Sequence, residues 1–520
     1  MDAPQAASPP PPPQPHMKQV LGPVDGAVIA MSNTAPTLSI GIGMGVIAAI
    51  VGHAIPAVVI LAFLPVLGIA VAYSQLNKVE RNCGAGYTWV GRALSPWLGF
   101  QSGWVTIAGT TIYLAYGSQV CGALVLTLLN EAGLHSAFGL ALDPTATATT
   151  TILGLVVLVL LTLTAVRGAD LVARIQTPMI IFEYLVLIGF CGYALVVGKH
   201  PVSWSWLNPA SVGSARTLAT GLVVCVYIFW GWDSVFSVTE ETRDPRDAAR
   251  AGYGSLFLML GMFLLAAFGL ERLFSPADMT AHAETLLPYL GTTLAHQPLA
   301  TLPLIALLFS SVASLQAGVL PNARGALAMS RDGAFGRVWQ RLHPKYATPA
   351  AGTVIICSIA ALLGVLALGI GTLSQFIAAA ATSVGMLVSL YYGLAGIACA
   401  VRFRTTLTQG PAAALRQVIL PAVSGLVLIA AGVYLAYSDW TGSPKFAWSA
   451  TNGRFLAVVP VAIIGLGVLL SAWAKWGRHA AYFSGRVLGA ALPTESGPDD
   501  PKPTASFTAN LQAQPSIEAS

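Results

Sequence analysis

Residues 227–245 of the chain read YIFWGWDSVFSVTEETRDP. The stretch begins as an apolar segment, yet Gly231 stands between two tryptophans, and the carboxylic acid of Asp233 follows soon after. Glycine weakens a helix because it loses more conformational freedom on folding than other residues. A carboxylate inside an apolar segment is costly unless it faces a partner or a cavity. The combination predicts an interrupted helix with a polar cavity beside it.

The composition of the whole chain is that of a membrane protein. Of its 520 residues, 55% are hydrophobic and only 9% are charged, whereas a soluble domain carries about 25% charged residues. A soluble chain of this length would divide into several domains, each with its own polar surface. Because the polar residues are too few to cover such surfaces, the composition excludes a large soluble enzyme.

Twelve apolar segments are long enough to cross a bilayer, which takes about 20 helical residues. They are continuous and rich in Leu, Ala and Gly, so they do not fit the short alternating strands of a β-barrel. The predicted fold class is all-α integral membrane, with twelve transmembrane helices called spans 1 to 12. In order, the spans cover residues 24–51, 53–77, 97–129, 150–166, 170–197, 213–239, 252–270, 298–320, 350–369, 373–400, 417–437 and 454–475.

The basic residues predict the orientation of these spans, because loops rich in Lys and Arg stay in the cytoplasm. With a cytoplasmic N-terminus, fifteen basic residues fall in inner loops and five in outer loops. We therefore expect a multi-pass protein of the inner (cell) membrane with both termini in the cytoplasm and membrane lipid around it. The net charge of +5 reflects this loop bias and does not indicate nucleic-acid binding. The five outer residues are Lys199, Arg216, Arg272, Lys445 and Arg454.

Three regions follow one another along the chain. Residues 1–17 are Pro-rich and are predicted to be a disordered cytoplasmic N-terminus, without the features of a signal peptide. Residues 18–478 are predicted to form one transmembrane domain. Residues 479–520 are rich in Pro, Ser, Ala and Asp and are predicted to be a disordered cytoplasmic tail. The six cysteines form no CxxC or Cys/His cluster, so neither a metal, a cofactor nor a disulfide framework is expected.

Two carboxylic acids lie inside apolar spans. Glu183 is near the middle of span 5, and Asp233 is in the inner part of span 6. An ionisable group costs at least about 2.5 to 3.5 kcal/mol at the centre of a membrane helix, so it normally faces a cavity or a partner. Each acid is either a functional group or a hydrogen-bonded structural group that holds helices together.

Two spans are predicted to be interrupted. Span 1 contains Ser32-Asn33-Thr34-Ala35-Pro36, and the proline removes a helical hydrogen bond and disfavours helix in the preceding residue. Span 6 contains Gly231. Interrupted spans at corresponding positions of two repeats mark the substrate site of inverted-repeat transporters. The interval of five spans predicts repeats at about 24–197 and 213–400, with extra helices at about 417–475. Simple kinks that ease helix packing are the alternative.

A broken helix frees N–H groups at one end and carbonyl groups at the other. A small zwitterion, which carries both a carboxylate and an ammonium, suits two such breaks.

Three stretches resemble the amino acid–polyamine–organocation (APC) transporter family. They are VAYSQLNKVERNCGAGYTWVGRALSPWLGFQSGW after span 2, FWGWDSVFSVTEETRDPRDAARA in span 6, and LPNARGALAMSRDGAFGRVWQRLHPKYATP after span 8. Their order on twelve spans makes the resemblance specific, and it covers roughly residues 18–480. The family implies a LeuT-like fold, built as a 5+5 inverted repeat with discontinuous helices 1 and 6. It also implies transport of amino acids or related amines by alternating access.

The resemblance also implies which residues bind the substrate. The family's glycine-rich break in span 1 falls on Ser32, Asn33 and Thr34, whose backbone amides would meet the substrate carboxylate. The absence of glycines there restricts close approach of the backbone, so the substrate sits differently or the side chains contact it. The break in span 6 falls on Phe229, Trp230 and Gly231, whose carbonyl groups would meet the ammonium. The nearby Tyr227 would cover the substrate.

Glu183 and Asp233 are the candidates for coupling transport to an ion gradient. Burial disfavours a charged carboxylate, so Glu183 could take up and release a proton, and Asp233 falls where several family members carry an acid. Some proton-coupled members have a lysine at about the position of Glu183, so the charge is reversed here. The alternative is a sodium ion held by oxygens of Glu183, Ser310 and Ser311.

The predicted function is secondary active transport of amino acids, by proton-coupled symport, with neutral or aromatic amino acids favoured. Transport or exchange of polyamines or basic amino acids is the alternative, and a nontransporting membrane sensor is the alternative from another class. An enzyme is not expected, because no histidine clearly lies beside a carboxylate inside a span. A channel is not expected either, because no ring of like charges is apparent.

The orientation can be tested with reporter fusions. Alkaline phosphatase needs an oxidising compartment to form its disulfides, so we expect activity when it is fused after Lys199 and background activity after Lys345. A fluorescent reporter that folds in the cytoplasm should give the opposite pattern. Phosphatase activity at the second position and none at the first would reverse the orientation.

Overall fold

The structure is a computed structural model of the chain. It describes residue 17 and residues 19–484, apart from 138, 245, 284, 370–372 and 450. The predicted terminal tails therefore lie largely outside the described residues. Of the N-terminal tail only Met17 is described, and its side chain is buried.

A helix covers most of each predicted span. Spans 1 to 6 correspond to Pro23–Thr34 with Pro36–Leu38 and Met44–Val51, then Ile55–Val79, Pro96–Glu131, Thr147–Arg167, Ala169–Val197 and Ala215–Ile228. Spans 7 to 12 correspond to Asp247–Leu273, Leu302–Arg331, Ala350–Leu366, Leu373–Arg402, Leu420–Gly442 and Gly453–Ala472. Among the described residues, ten helices are long and apolar enough to cross a membrane, and the helices of spans 6 and 9 are shorter. The all-α class is confirmed.

The spans divide into inner and peripheral helices. In the most apolar windows of spans 8 and 10, 72% and 78% of the residues are buried, against 28% and 22% in spans 11 and 12. Spans 11 and 12 lie against spans 10 and 3 and leave much of their apolar surface exposed. Helices satisfy their own backbone groups, so apolar outer faces are compatible with lipid. The polar side chains discussed below lie on the inner helices.

Span 1 is interrupted at Ala35. The first helix ends at Thr34, Ala35 has φ 49° in the left-handed region, and a short helix restarts at Pro36. A π-helical turn, Ser39–Gly43, leads into the outer half of the span. Proline lacks an N–H and disfavours the α conformation of the residue before it. The interruption therefore lies just after the residues 32–34 on which the resemblance placed it.

Span 6 is interrupted at Gly231. Its helix ends at Ile228, residues 229–233 form turns, and a short helix resumes at Ser234–Ser237. Gly231 has φ 113°, and a Cβ added there would lie 2.6 Å from the carbonyl oxygen of Asn33. Only glycine fits, because the backbones of the two interrupted spans touch at this point.

Shorter elements close the two ends of the bundle. At the predicted inner end, the helix Gly86–Ala93 lies between spans 2 and 3, and Leu21 pairs with Thr242 after span 6. At the predicted outer end, the helices Pro276–Ala281 and Leu286–Leu294 lie against the outer half of span 1 and the neighbouring spans. A short antiparallel strand pair, Ser136–Ala137 with Leu140–Ala141, lies between spans 3 and 4.

The chain remains packed beyond the last span. Residues 479–520 were predicted to be a disordered tail, but Ala481–Ser484 forms a 3₁₀ turn. Tyr482 and Phe483 are buried there, although they follow a polar stretch. The boundary of the packed domain therefore lies at least six residues later than predicted, and residues 485–520 lie outside the described part.

The two buried aromatic residues occupy a socket at the predicted inner end. The ring of Tyr482 stacks on Tyr87 with centroids 5.3 Å apart, and Phe483 contacts Trp97. A Cβ added at Gly91 or Gly99 would lie 2.5 or 2.4 Å from the Tyr482 hydroxyl. Two glycines thus make room for one tyrosine, and the end of the described chain holds the helix Gly86–Ala93 in place.

The contact at Gly231 gives a prediction on stability. We expect Gly231→Ala to destabilise the protein by at least about 1–3 kcal/mol, the usual cost of a disfavoured backbone conformation, with the clash against Asn33 added. The measurement is thermal unfolding of the purified protein in detergent.

The matched control is Gly254→Ala in span 7, because a Cβ there meets nothing within 4 Å. This control should leave the unfolding temperature unchanged or raise it, since Ala favours a helix more than Gly does. Equal unfolding temperatures for both variants would contradict the close contact.

Candidate functional site

The two interruptions meet at the middle of the bundle. The side-chain amide of Asn33 donates a hydrogen bond to the carbonyl oxygen of Gly231 at 3.1 Å, which joins spans 1 and 6. The carbonyl oxygen of Asn33 accepts a hydrogen bond from the Ser314 hydroxyl at 3.2 Å, which adds span 8. Backbone groups released by the interruptions are thus satisfied by side chains from other spans, as an apolar environment requires.

An aromatic wall lies on the predicted outer side of this junction. Tyr116 of span 3 shares a hydrogen bond with the hydroxyl of Tyr227, and Tyr113 shares one with Ser314. The ring of Trp230 lies 5.7 Å from Tyr113 and 6.1 Å from Tyr227, measured between centroids. Two of the predicted substrate residues, Tyr227 and Trp230, are therefore neighbours in one wall.

Asp233 lies on the other side of the junction, at a cavity of about 30 Å³. Its carboxylate accepts hydrogen bonds from the hydroxyls of Tyr392 at 2.8 Å and Tyr391 at 3.3 Å. The indole N–H of Trp230 donates to the Tyr391 hydroxyl at 2.6 Å, which links the wall to the acid. Asp233 is half-buried. The other residues that line the cavity include Tyr73, Tyr87, Thr106, Ser237 and Asn322.

Glu183 of span 5 is fully buried at the restart of span 1. Its Oε2 accepts a hydrogen bond from the Thr37 hydroxyl at 3.0 Å, and the backbone N–H of Thr37 and the Ser310 hydroxyl also face the carboxyl group. The Ser310 hydroxyl accepts from the backbone N–H of Leu38 at 3.3 Å. Span 5 and span 8 therefore both bind the free N–H end of the second half of span 1.

The structure separates some residues that the sequence grouped. Ser310 lies at Glu183, whereas Ser311 lies beside Cys121 of span 3. The proposed sodium ligands are therefore not gathered as one set around Glu183.

The predicted roles of the Ser32 and Thr34 backbone amides need correction. Ser32 and Thr34 lie within the helix Pro23–Thr34, so the backbone amides of this stretch lie before the interruption. The free N–H groups of the restarting helix belong to Thr37 and Leu38 instead. The side chain of Phe229 is fully buried and contacts Phe263 of span 7, and the role predicted for its carbonyl group stays a prediction.

A network of charged groups closes the predicted inner end. Glu240 accepts hydrogen bonds from Arg331 at 2.9 Å and from the backbone N–H of Cys83 at 2.8 Å, and Glu241 pairs with Arg324. These pairs connect the end of span 6 with span 8 and with the loop after span 2. Breaking a buried ion pair by removing one partner costs about 3–5 kcal/mol, so the network fixes these segments relative to one another.

Two further carboxylic acids of this inner end have altered proton affinity. Burial raises the pKa of Asp332 to about 6, although a hydrogen bond from Tyr87 at 3.0 Å opposes the shift. Burial also raises the pKa of Glu80 to about 7, against the attraction of Arg92, which lies 2.9 Å from it. Both groups change charge near neutral pH.

Six residues of the site were not predicted from the sequence: Tyr113, Tyr116, Tyr391, Tyr392, Ser314 and Thr37. Each is a polar side chain in the apolar interior of a span, and such groups normally need a partner there. The tyrosine pairs at 113 and 116 and at 391 and 392 are the signal that could have identified five of the hydrogen bonds around the two interruptions. Ser314 and Thr37 carry no comparable signal, because hydroxyls commonly bond to their own helix.

Comparison with known proteins agrees with this architecture. The sequence pattern of the family described as "Amino acid permease" matches residues 24–469. The low-affinity putrescine importer PlaP of Escherichia coli (strain K12) is 24% identical over 328 residues, which cover 61% of this chain and 68% of PlaP. The branched-chain amino acid permease BcaP of Bacillus subtilis (strain 168) is 24% identical over 374 residues, which cover 69% of this chain and 79% of BcaP.

The family pattern and the ten long apolar helices among the described residues indicate a multi-pass membrane permease. The chain belongs to the amino acid permease family, since the family pattern covers nearly all of its membrane region. The predicted resemblance to APC transporters is thereby confirmed, and so is the prediction that the protein is a transporter and not an enzyme.

The raised pKa of Asp332 gives a prediction on pH dependence. The folded protein retains this proton up to a pH of about 6, whereas the unfolded chain loses it near the ordinary pKa of 3.8. The stabilisation is therefore fully present below the ordinary value and is lost as the pH rises through 6. We expect Asp332→Asn, which is neutral throughout, to gain in unfolding temperature relative to the wild type between pH 4 and 7.

The measurement is thermal unfolding in detergent at a series of pH values. Because other groups titrate in both proteins, the informative quantity is the difference between variant and wild type. A difference that stays constant over this range would mean that Asp332 has an ordinary pKa in the folded protein.

Proposed function

We propose that the protein is a secondary active transporter that moves an amino acid or related amine by alternating access, with Glu183 as the binding site of a coupling proton. The family supports transport of amino acids or amines. Coupling to a proton rests on the surroundings of Glu183. The proposed location is the inner cell membrane, with both termini in the cytoplasm.

The observation that carries the proposal is the contact between Glu183 and the restart of span 1. The carboxyl group is fully buried, and no ion pair among the described residues involves it. A negative charge there is attracted by the N–H end of a helix, whereas a neutral carboxyl is attracted less. Uptake or loss of one proton therefore changes how strongly span 5 holds the second half of span 1.

We further propose the LeuT-like arrangement of two inverted repeats, spans 1–5 and 6–10, with spans 11 and 12 outside them. Support comes from the interruptions, which fall in the first span of each repeat and meet at Asn33 and Gly231. Alternating access then requires that the halves of spans 1 and 6 move about these interruptions. The Glu240 and Glu241 ion pairs would open on the inner side.

Two substrate classes remain within this proposal. The aromatic wall of Tyr113, Tyr227 and Trp230 supports a neutral or aromatic amino acid, bound beside Asn33 and Gly231. The carboxylate of Asp233 at the cavity supports an amine or a basic amino acid. The name of BcaP, a branched-chain amino acid permease, agrees with the first class. The name of PlaP, a putrescine importer, agrees with the second class.

The coupling role of Glu183 is tested by Glu183→Gln in proteoliposomes, with leucine and 1,4-diaminobutane as probes. At a fixed membrane potential, we expect the variant to lose accumulation driven by a pH gradient, because glutamine cannot carry the proton. Counterflow, which needs no gradient, should continue and would exclude a nontransporting sensor.

The matched control is Glu271→Gln, which changes another fully buried glutamate, in span 7. It should accumulate substrate like the wild type. Full pH-driven accumulation by Glu183→Gln would remove the coupling proton from Glu183. Accumulation that follows an imposed sodium gradient instead would assign the coupling role to sodium.

A further inference from the structure

The groups that the two interruptions offer to a zwitterion are occupied by the chain itself. An interrupted helix presents free N–H groups for an anion and free carbonyl groups for a cation. Here the N–H group and hydroxyl of Thr37 face the carboxyl group of Glu183. The carbonyl oxygen of Gly231 accepts the side-chain amide of Asn33.

The contact at Thr37 disfavours a substrate carboxylate there, and the contact at Gly231 disfavours a substrate ammonium there. A second carboxylate at the restart of span 1 would compete with Glu183 for the same donors, and it would be repelled when Glu183 is ionised. The side chain of Asn33 already donates a hydrogen bond to the carbonyl oxygen of Gly231. An incoming ammonium would have to displace the Asn33 amide and leave it without its partner.

Asp233 is the acid that remains open to the cavity. The carboxylate accepts hydrogen bonds from Tyr391 and Tyr392, and no ion pair of Asp233 occurs within the described residues. Tyr73, Tyr87 and Tyr391 line the same cavity. A carboxylate among aromatic rings attracts an organic cation by direct charge and by cation–π interaction.

The size of the cavity fits a small charged head group. Its volume of about 30 Å³ exceeds the roughly 10–15 Å³ that a single water molecule needs. An alkylammonium nitrogen with its hydrogens is comparable in size to a water molecule. Thr106 and Asn322 also line the cavity. Their side-chain oxygen atoms can accept hydrogen bonds from the N–H groups of an alkylammonium.

We propose that Asp233 binds the charged nitrogen of the substrate and that the protein selects alkylamines without a carboxylate over amino acids. The inference rests on the proposed transport function and deepens it, since it names the substrate class. It also changes the role of Asp233, from a coupling group to the group that recognises the substrate. Glu183 keeps the coupling role.

The test compares 1,4-diaminobutane with ornithine, which is the same diamine with one carboxylate added. Binding to the purified wild-type protein is measured by equilibrium titration in detergent, and counterflow is measured in proteoliposomes. We expect the diamine to bind at least about tenfold more tightly, equivalent to about 1.4 kcal/mol. Leucine should compete poorly with it. Ornithine or leucine binding as tightly as the diamine would overturn the proposal.

Two variants test the residue itself. Asp233→Asn should weaken diamine binding at least about tenfold, and Asp233→Glu, which keeps the charge, should recover part of the loss. The control is Glu271→Gln, which should bind the diamine like the wild type. Like Asp233, Glu271 has no arginine or lysine partner among the ion pairs of the described residues. Unchanged diamine binding by a folded Asp233→Asn protein would overturn the proposal. If this variant does not fold, the comparison of 1,4-diaminobutane with ornithine on the wild-type protein is the deciding test.

These outcomes separate the inference from the proposed function. Leucine transport that follows the pH gradient, without diamine transport, would leave the function intact and remove the amine preference. Diamine binding that depends on Asp233, without any dependence of uptake on the pH gradient, would keep the inference and remove the coupling. Equilibrium titration requires no gradient, so the two results are independent.

Discussion

The hydrogen bond between the Asn33 amide and the Gly231 carbonyl oxygen is the contact on which the centre of the bundle depends. Backbone groups that leave a helix inside a membrane protein must find partners within the protein. Each interruption here supplies a partner to the other, and Ser314 adds a third span through the Asn33 carbonyl group. Because the contact joins residues 198 positions apart, spans 1 and 6 share one central junction.

Much of the fold could be predicted from the sequence, because a membrane helix is recognised from length and apolar composition. Pro36 and Gly231 also identified the two interrupted spans. The exact break in span 1 was displaced, since the resemblance pointed to residues 32–34 whereas proline acts on the residue directly before it. The packed turn at Tyr482 was missed, because its burial depends on two glycines in helices that are distant in sequence.

The site was harder to predict than the fold. Glu183 and Asp233 were predicted because a charge stands out in an apolar segment, whereas Tyr227 and Trp230 were predicted from the family resemblance. Which groups touch depends on the rotation of each helix about its axis, and this is set by packing among spans that are distant in sequence. For that reason the sequence did not reveal that the Glu183 carboxyl group faces the N–H end of the second half of span 1, or that two tyrosines of span 10 donate hydrogen bonds to Asp233.

The socket for Tyr482 has a consequence for the order in which the protein is made. The helix Gly86–Ala93 belongs to the first fifth of the chain, but its partner leaves the ribosome only after the last span. The contacts of this helix with Tyr482 can therefore form only when nearly the whole chain has been synthesised. A chain that terminates before residue 481 would carry its defect near the beginning, between spans 2 and 3.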